Sequence, residues 1–214
     1  MFLGERIMGR TSQEGKRRGP APKFDRDDML DRLVGLFWRA GYERTSHADM
    51  RAVTGLSGSS LYNAFGDKQS IFDAVLARYH ERTAVLVAPL VDGTSGLDDV
   101  LEWVDLLRLR IMSHDTPPGC LMIATMGSPI GREQEVRAHT ERNLERVRAS
   151  VTAALVRAAD RGEIPVATIE ARAALLAAGY IGILSAARAS TTRELAHAML
   201  DGTRDVLGTW LGGG

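Results

Sequence analysis

The sequence predicts an all-α protein of about nine helices, and three observations carry that prediction. Apolar residues recur at three- and four-residue spacing from Leu30 to the carboxy end. Ala, Leu, Arg and Glu, which sit in helices at low cost, are abundant. The seven prolines fall at boundary positions, and no alternating strand pattern occurs. With 44% apolar residues in 214, the chain can bury one large core or two smaller ones. Three parts are expected: a flexible basic arm over 1–23, a small helical domain over 24–87, and a larger one over 88–214.

Each element has a local reason. Residues 1–23 combine Gly, Ser, Pro and charge without an apolar period. Arg6, Arg10, Lys16, Arg17, Arg18 and Lys23 face only Glu5 and Glu14 there. A first helix over 25–40 buries Leu30, Leu33, Val34 and Phe37, and opens on Asp25, Asp27 and Asp28, which oppose its dipole. Gly41 stops it. Thr45 or Ser46 caps a second, short helix carrying Met50 and Val53 on one side. Gly55-Leu56-Ser57 is a tight turn. A third helix over 58–65 points Leu61 and Phe65, four apart, to one side. Asp67 caps a fourth over 68–87, with Ile71, Phe72, Val75, Leu76 and Tyr79 inward. Pro89 and the run 92–96 mark the domain boundary. Five further helices follow over 97–113, 119–126, 132–161, 169–189 and 193–211.

Two short helices crossed at a glycine turn form a helix-turn-helix, and its second helix fits the major groove of double-stranded DNA. Ser57, Ser59, Ser60, Tyr62 and Asn63 lie where small or flat polar groups reach phosphates and base edges. Asn63 can bond adenine through two hydrogen bonds, and Arg17-Arg18 can enter an adjacent minor groove. The charge agrees. Residues 1–82 hold 14 Lys/Arg against 11 Asp/Glu, whereas 83–214 hold 13 against 16, so the basic excess is local to the amino end.

The run from Phe24 to about Leu76 resembles the amino-terminal domain of the TetR family of bacterial transcriptional regulators. The features are Phe37 and Gly41-Tyr42, Thr45-Ser46, Asp49-Met50, Gly55-Leu56-Ser57, Leu61-Tyr62-Asn63-Ala64-Phe65 and Lys68, in order and at family spacing. The resemblance implies a homodimer that binds a near-palindromic operator and releases it when a small molecule occupies the larger domain. It also implies phosphate contacts from Thr45, Ser46, Tyr62 and Lys68. Ala64 and Asn63 depart from the common family residues, which bears on the operator sequence.

For the inducer, Trp103, Leu107, Met112, Cys120, Met122, Met126 and Tyr180 are candidate lining. Small residues from Ala171 to Gly182, and Leu195, Met199, Val206, Leu207 and Trp210, suit a dimer interface over about 169–211. Cys120 is read first as a small buried apolar residue, the usual place of a free cysteine; because it opens a helix, a position that favours thiolate, a redox or electrophile sensor or a thiol enzyme is the alternative function. Cys120 with His114 is its weakest form, because the spacing is not diagnostic. Otherwise no enzyme is expected: there is no metal-binding His-Glu helix, phosphate loop or nucleophile elbow, hence no cofactor and no metal. An architectural DNA binder leaves the second domain without a purpose. One cysteine and no recognised secretion signal or membrane-length apolar run predict a cytoplasmic protein with no membrane partner.

Overall fold

The computed structural model describes residues 25–113, 115–189 and 193–212. Among them the elements are helical without a strand: α1 (Arg26–Ala40), α2 (His47–Thr54), α3 (Gly58–Phe65), α4 (Lys68–Arg82), α5 (Ala88–Asp92), α6 (Leu97–Met112), α7 (Leu121–Met126), α8 (Gln134–Asp160), α9 (Ile169–Ala189) and α10 (Glu194–Leu211). The nine expected helices are present, and α5 is a further single turn. The expected arm, with Arg17 and Arg18, lies outside the described residues, as does His114.

The first helices close on an aromatic core. The Phe37 ring lies 5.0 Å from that of Phe72 and stacks against Tyr42 at 6.3 Å. Leu33, Met50, Leu61 and Val75 fill the rest. Arg78 of α4 ties this unit to α1: its Nε donates to Asp31 at 2.8 Å and its Nη2 to the other oxygen at 3.2 Å. That guanidinium holds the Asp31 carboxyl below the usual carboxylate range.

Helix α4 stops at Arg82, five residues before the expected 87. The Thr83 hydroxyl donates to the carbonyls of Tyr79 and His80 at 2.9 and 3.3 Å, competing with the backbone ladder there. A 3-10 turn, Ala84–Val87, follows. Pro89 lies in the first turn of α5, where its missing N–H costs nothing.

The larger part packs α6, α8, α9 and α10 with α7 wedged between α8 and α9. Asp99 anchors its amino side. Its buried carboxylate accepts from the Ser95 and Gly96 amides and from Arg157 of α8, whose Nη2 also donates to the Leu90 carbonyl at 2.8 Å. A second expectation is corrected here. Val166–Ala189, at 24 residues and mean hydropathy 1.4, is long and apolar enough by length and composition to cross a membrane. It escapes a search for bulky apolar runs because alanines supply much of its hydropathy.

Arginines of the larger part grip α1 and α4. Arg110 of α6 lies 4.7 Å over the Trp38 ring and donates to the Tyr79 hydroxyl at 2.8 Å. Arg146 of α8 donates to the His80 carbonyl at 2.8 Å, and Arg188 of α9 to the Trp38 carbonyl at 2.9 Å. These contacts tie α6, α8 and α9 to α1 and α4.

Candidate nucleic-acid interface and ligand cleft

Three side-chain caps shape α2, α3 and α4. Ser46 and Asp49 form a reciprocal box: the Ser46 Oγ accepts from the Asp49 amide at 3.2 Å, and the Asp49 carboxylate accepts from the Ser46 amide at 2.8 Å. The Ser46 hydroxyl and amide hold that carboxyl below its ordinary value. Gly55, at φ +70°, takes the left-handed conformation that turns the chain into α3. Ser57 accepts from the Ser60 amide at 3.1 Å, and its hydroxyl bonds those of Ser59 and Ser60. Asp67 accepts from the Ser70 amide at 2.8 Å, which lowers its carboxyl.

This geometry sorts the candidate DNA-binding residues. Leu61 and Phe65 turn inward, so Ser57, Ser59, Ser60, Tyr62 and Asn63 at and along α3 are exposed to solvent, and Ser46 is exposed at the N-cap of α2. Tyr62 is 65% exposed, a large aromatic group that folding alone leaves uncovered. Thr45 does not join that face. It is 1% exposed, and its hydroxyl donates to the Gly41 carbonyl at 2.7 Å, so it closes the turn after α1. The cap assignment goes to Ser46 for the same reason. The Lys68 ammonium lies 4.2 Å from the Tyr42 ring centroid, so a ring face already holds part of that charge. Burial raises the Tyr42 phenol, and Asp67, Glu43 and Glu133 add to it. Arg51 was missed: it is exposed on α2, its Cδ near the Gly58 backbone that opens α3. Its place in the last turn before the glycine was the available signal.

The larger part holds an apolar cleft of about 280 Å³ between α6, α9 and α10. Trp103, Leu107 and Tyr180 line it with Leu176, Ile183 and Met199. Trp103 and Tyr180 stack at 5.9 Å, and the buried Trp103 Nε1 has no hydrogen-bond partner. The other four candidates fall elsewhere. Ile111 takes the core position at the end of α6, which leaves Met112 53% exposed one residue on. Met126 ends α7 and is half-exposed. Met122 is fully buried core. Cys120 does precede α7, but it is 3% exposed and lies against the Tyr79 and Tyr180 phenols, both raised mainly by burial.

Comparison with known proteins fits this architecture part by part. Residues 30–75 match the family described as bacterial regulatory proteins, tetR family, and residues 96–201 match the tetracyclin repressor-like C-terminal domain. The chain belongs to the TetR family. Among its TetR relatives, the transcriptional repressor ComR of Escherichia coli is 40% identical over 110 residues, covering 50% of this chain and 52% of ComR. The match thus spans about half of that relative's length. The uncharacterised regulator YezE of Bacillus subtilis is 25% identical over 151 residues, 68% of this chain and 76% of YezE. A solved structure of the TetR-family regulator CifR, a cysteine mutant with 26-base-pair operator DNA, superposes with TM-score 0.76 at 27% identity. It covers 89% of this chain and all of that one. The amino-terminal TetR match begins at Leu30 in α1 and ends at Val75 in α4, so it takes in both crossed helices and their supports.

Proposed function

We propose that this TetR-family protein is a DNA-binding transcriptional regulator, and not an enzyme, that represses from an operator and leaves it when a small molecule binds. The observation that carries the reading is the solvent face of α3. Its polar residues are capped and held in register by Ser57 while Leu61 and Phe65 anchor the opposite side. The likeness to the transcriptional repressor ComR and to CifR, solved in complex with operator DNA, supports it.

The working unit is a homodimer through α9 and α10. Leu175 (55% exposed), Val206, Ala178 and Gly202 form the outer rim of the Trp103–Tyr180 cleft and, with Leu195 (60%), leave an apolar surface open in one chain, so a partner subunit there would close the mouth of that cleft. Two such faces related by a two-fold axis place two α3 helices on successive major grooves, about 34–36 Å apart. The inducer site is the Trp103–Tyr180 cleft, whose lining suits an apolar molecule. Response at the cleft is preferred to the Cys120 thiol, which burial shields from solution. The setting is the cytoplasm, where the DNA is.

Selection of genomic fragments with purified protein, followed by footprinting at several salt concentrations, tests the reading. A protected near-palindrome with a steep salt slope is expected. Uniform affinity for all fragments refutes it.

A further inference from the structure

A second cleft lies at the seam between the small and the larger part, away from the Trp103 cleft. It has a volume of about 470 Å³ and is walled by Trp38, Pro117 and Pro118. Four arginines enter it: Arg39 and Arg44 from the end of α1 and the loop after it, and Arg188 and Arg193 from the end of α9 and the start of α10. Asp115 is the one acidic residue among the described residues of the lining. Among the described residues of the lining, Arg39, Arg44 and Arg188 against Asp115 leave a positive excess in a partly enclosed space, where charges are screened less than on open surface.

Three of these arginines, Arg39, Arg44 and Arg188, are held without a carboxylate partner among the described residues. Arg44 Nε donates to the Ala40 carbonyl at 2.9 Å, and Arg188 Nη1 to that of Trp38 at 2.9 Å. Arg193 donates to the Ile111 and Ser113 carbonyls at the end of α6. These are neutral acceptors. Gly35 makes room for Arg39, whose Nη2 would stand 3.2 Å from a Cβ there. Arg193 keeps its place at φ +59°, a conformation rare outside glycine and found at ligand clamps. The Trp38 indole N–H is buried without a partner in the same wall.

We propose that this seam binds a small polyanion, a metabolite with two or more carboxylates or a phosphate, and that the bound anion clamps the helix-turn-helix unit to the larger part. Planar guanidiniums converging from both sides match the paired oxygens of such groups. Because Arg39 and Arg44 move with α1 while Arg188 and Arg193 belong to α9 and α10, the anion's affinity depends on the angle between the two parts. It therefore shifts their equilibrium by its difference in affinity for the two arrangements. The effect on DNA rests on the regulator reading; binding of the anion does not.

The test is calorimetric titration of the full chain with citrate and with inorganic phosphate, chloride holding ionic strength constant and acetate as a singly charged control. The comparison protein is the double variant Arg39→Gln, Arg44→Gln, checked for an unchanged circular dichroism spectrum. Citrate or phosphate is expected to bind with Kd at or below about 1 mM, acetate at least tenfold more weakly, and the double variant at least tenfold more weakly than wild type. Should the double variant fail to fold, Arg39→Gln alone, at an exposed position, is expected to lose at least threefold. Citrate and phosphate no tighter than acetate, or variant binding equal to wild type, overturns the proposal. Loss of DNA affinity in the double variant with no anion binding by wild type also overturns it, and assigns these arginines to DNA phosphates.

Discussion

Replacement of Tyr79 by Phe isolates one oxygen at the joint between α4 and the larger part. That hydroxyl accepts from Arg110 Nη2 at 2.8 Å and from the Leu121 amide at 3.3 Å. The ring is 2% exposed and packs edge-on to Trp38 at 5.2 Å, so Phe keeps the packing and removes the hydroxyl, which also bonds the Cys120 side chain. The two donors then fare differently. Arg110 is half-buried and turns to water. The Leu121 amide opens α7 in the core and has no carbonyl one turn back, so it stays unpaired. An unsatisfied buried donor costs about 1–3 kcal/mol, and the lost charge-assisted bond is partly replaced by solvent, so a destabilisation of about 2 kcal/mol is expected. For a chain of this length that lowers Tm by about 4–8 °C. Urea denaturation at matched protein concentration measures it, because an associating protein gains stability with concentration. A double-mutant cycle with Arg110→Met separates the arginine's share. A loss under about 0.5 kcal/mol refutes the placement of the Leu121 amide on this oxygen.

Other outcomes follow from the same geometry. Burial raises the Tyr79 and Tyr180 phenols above the ordinary 10.0, so the fold retains protons that the unfolded chain releases. Stability is thus full below pH 10 and falls above it, by about 1.4 kcal/mol per pH unit for each phenol, and the Tyr79→Phe variant shows a shallower alkaline slope in urea melts. Asn63→Ala is expected to weaken operator binding by about 1–3 kcal/mol, leaving non-specific binding at equal salt unchanged; gel shifts on both kinds of DNA decide it. Ser46→Ala removes the cap of α2 and is expected to cost about 1 kcal/mol in thermal unfolding. Gly202→Arg enters space that is open within one chain, so the variant folds, and sedimentation is expected to show a monomer where wild type is a dimer.

Much of the DNA-facing unit was legible because its signals are local. Caps, a glycine turn and a four-residue apolar repeat act over one or two turns, and Leu61, Phe65, Ser57 and Gly55 stand as those rules place them. Thr45 was not legible. Two adjacent hydroxyl residues can both cap a helix, and only the carbonyl of Gly41 folding back at 2.7 Å decides which one is buried. The early end of α4 belongs to the same class, since it depends on where the Thr83 hydroxyl turns.

By itself the sequence determined the helical class, nearly every helix, the inward faces of α1, α3 and α4, and the turn that joins α2 to α3. These follow from periodicity and capping, which the chain carries without reference to distant residues. Tertiary structure alone decided which apolar residues became a cleft and which became core. Trp103, Leu107 and Tyr180 share a cleft, whereas Met112 is turned out and Cys120 is sealed in. Residues on α6, α7 and α9 that share one apolar chemistry differ only in where the crossing of helices leaves a gap. The four-arginine seam has the same origin: Arg39 and Arg193 stand 154 positions apart in the chain and meet only because α9 and α10 return to the end of α1.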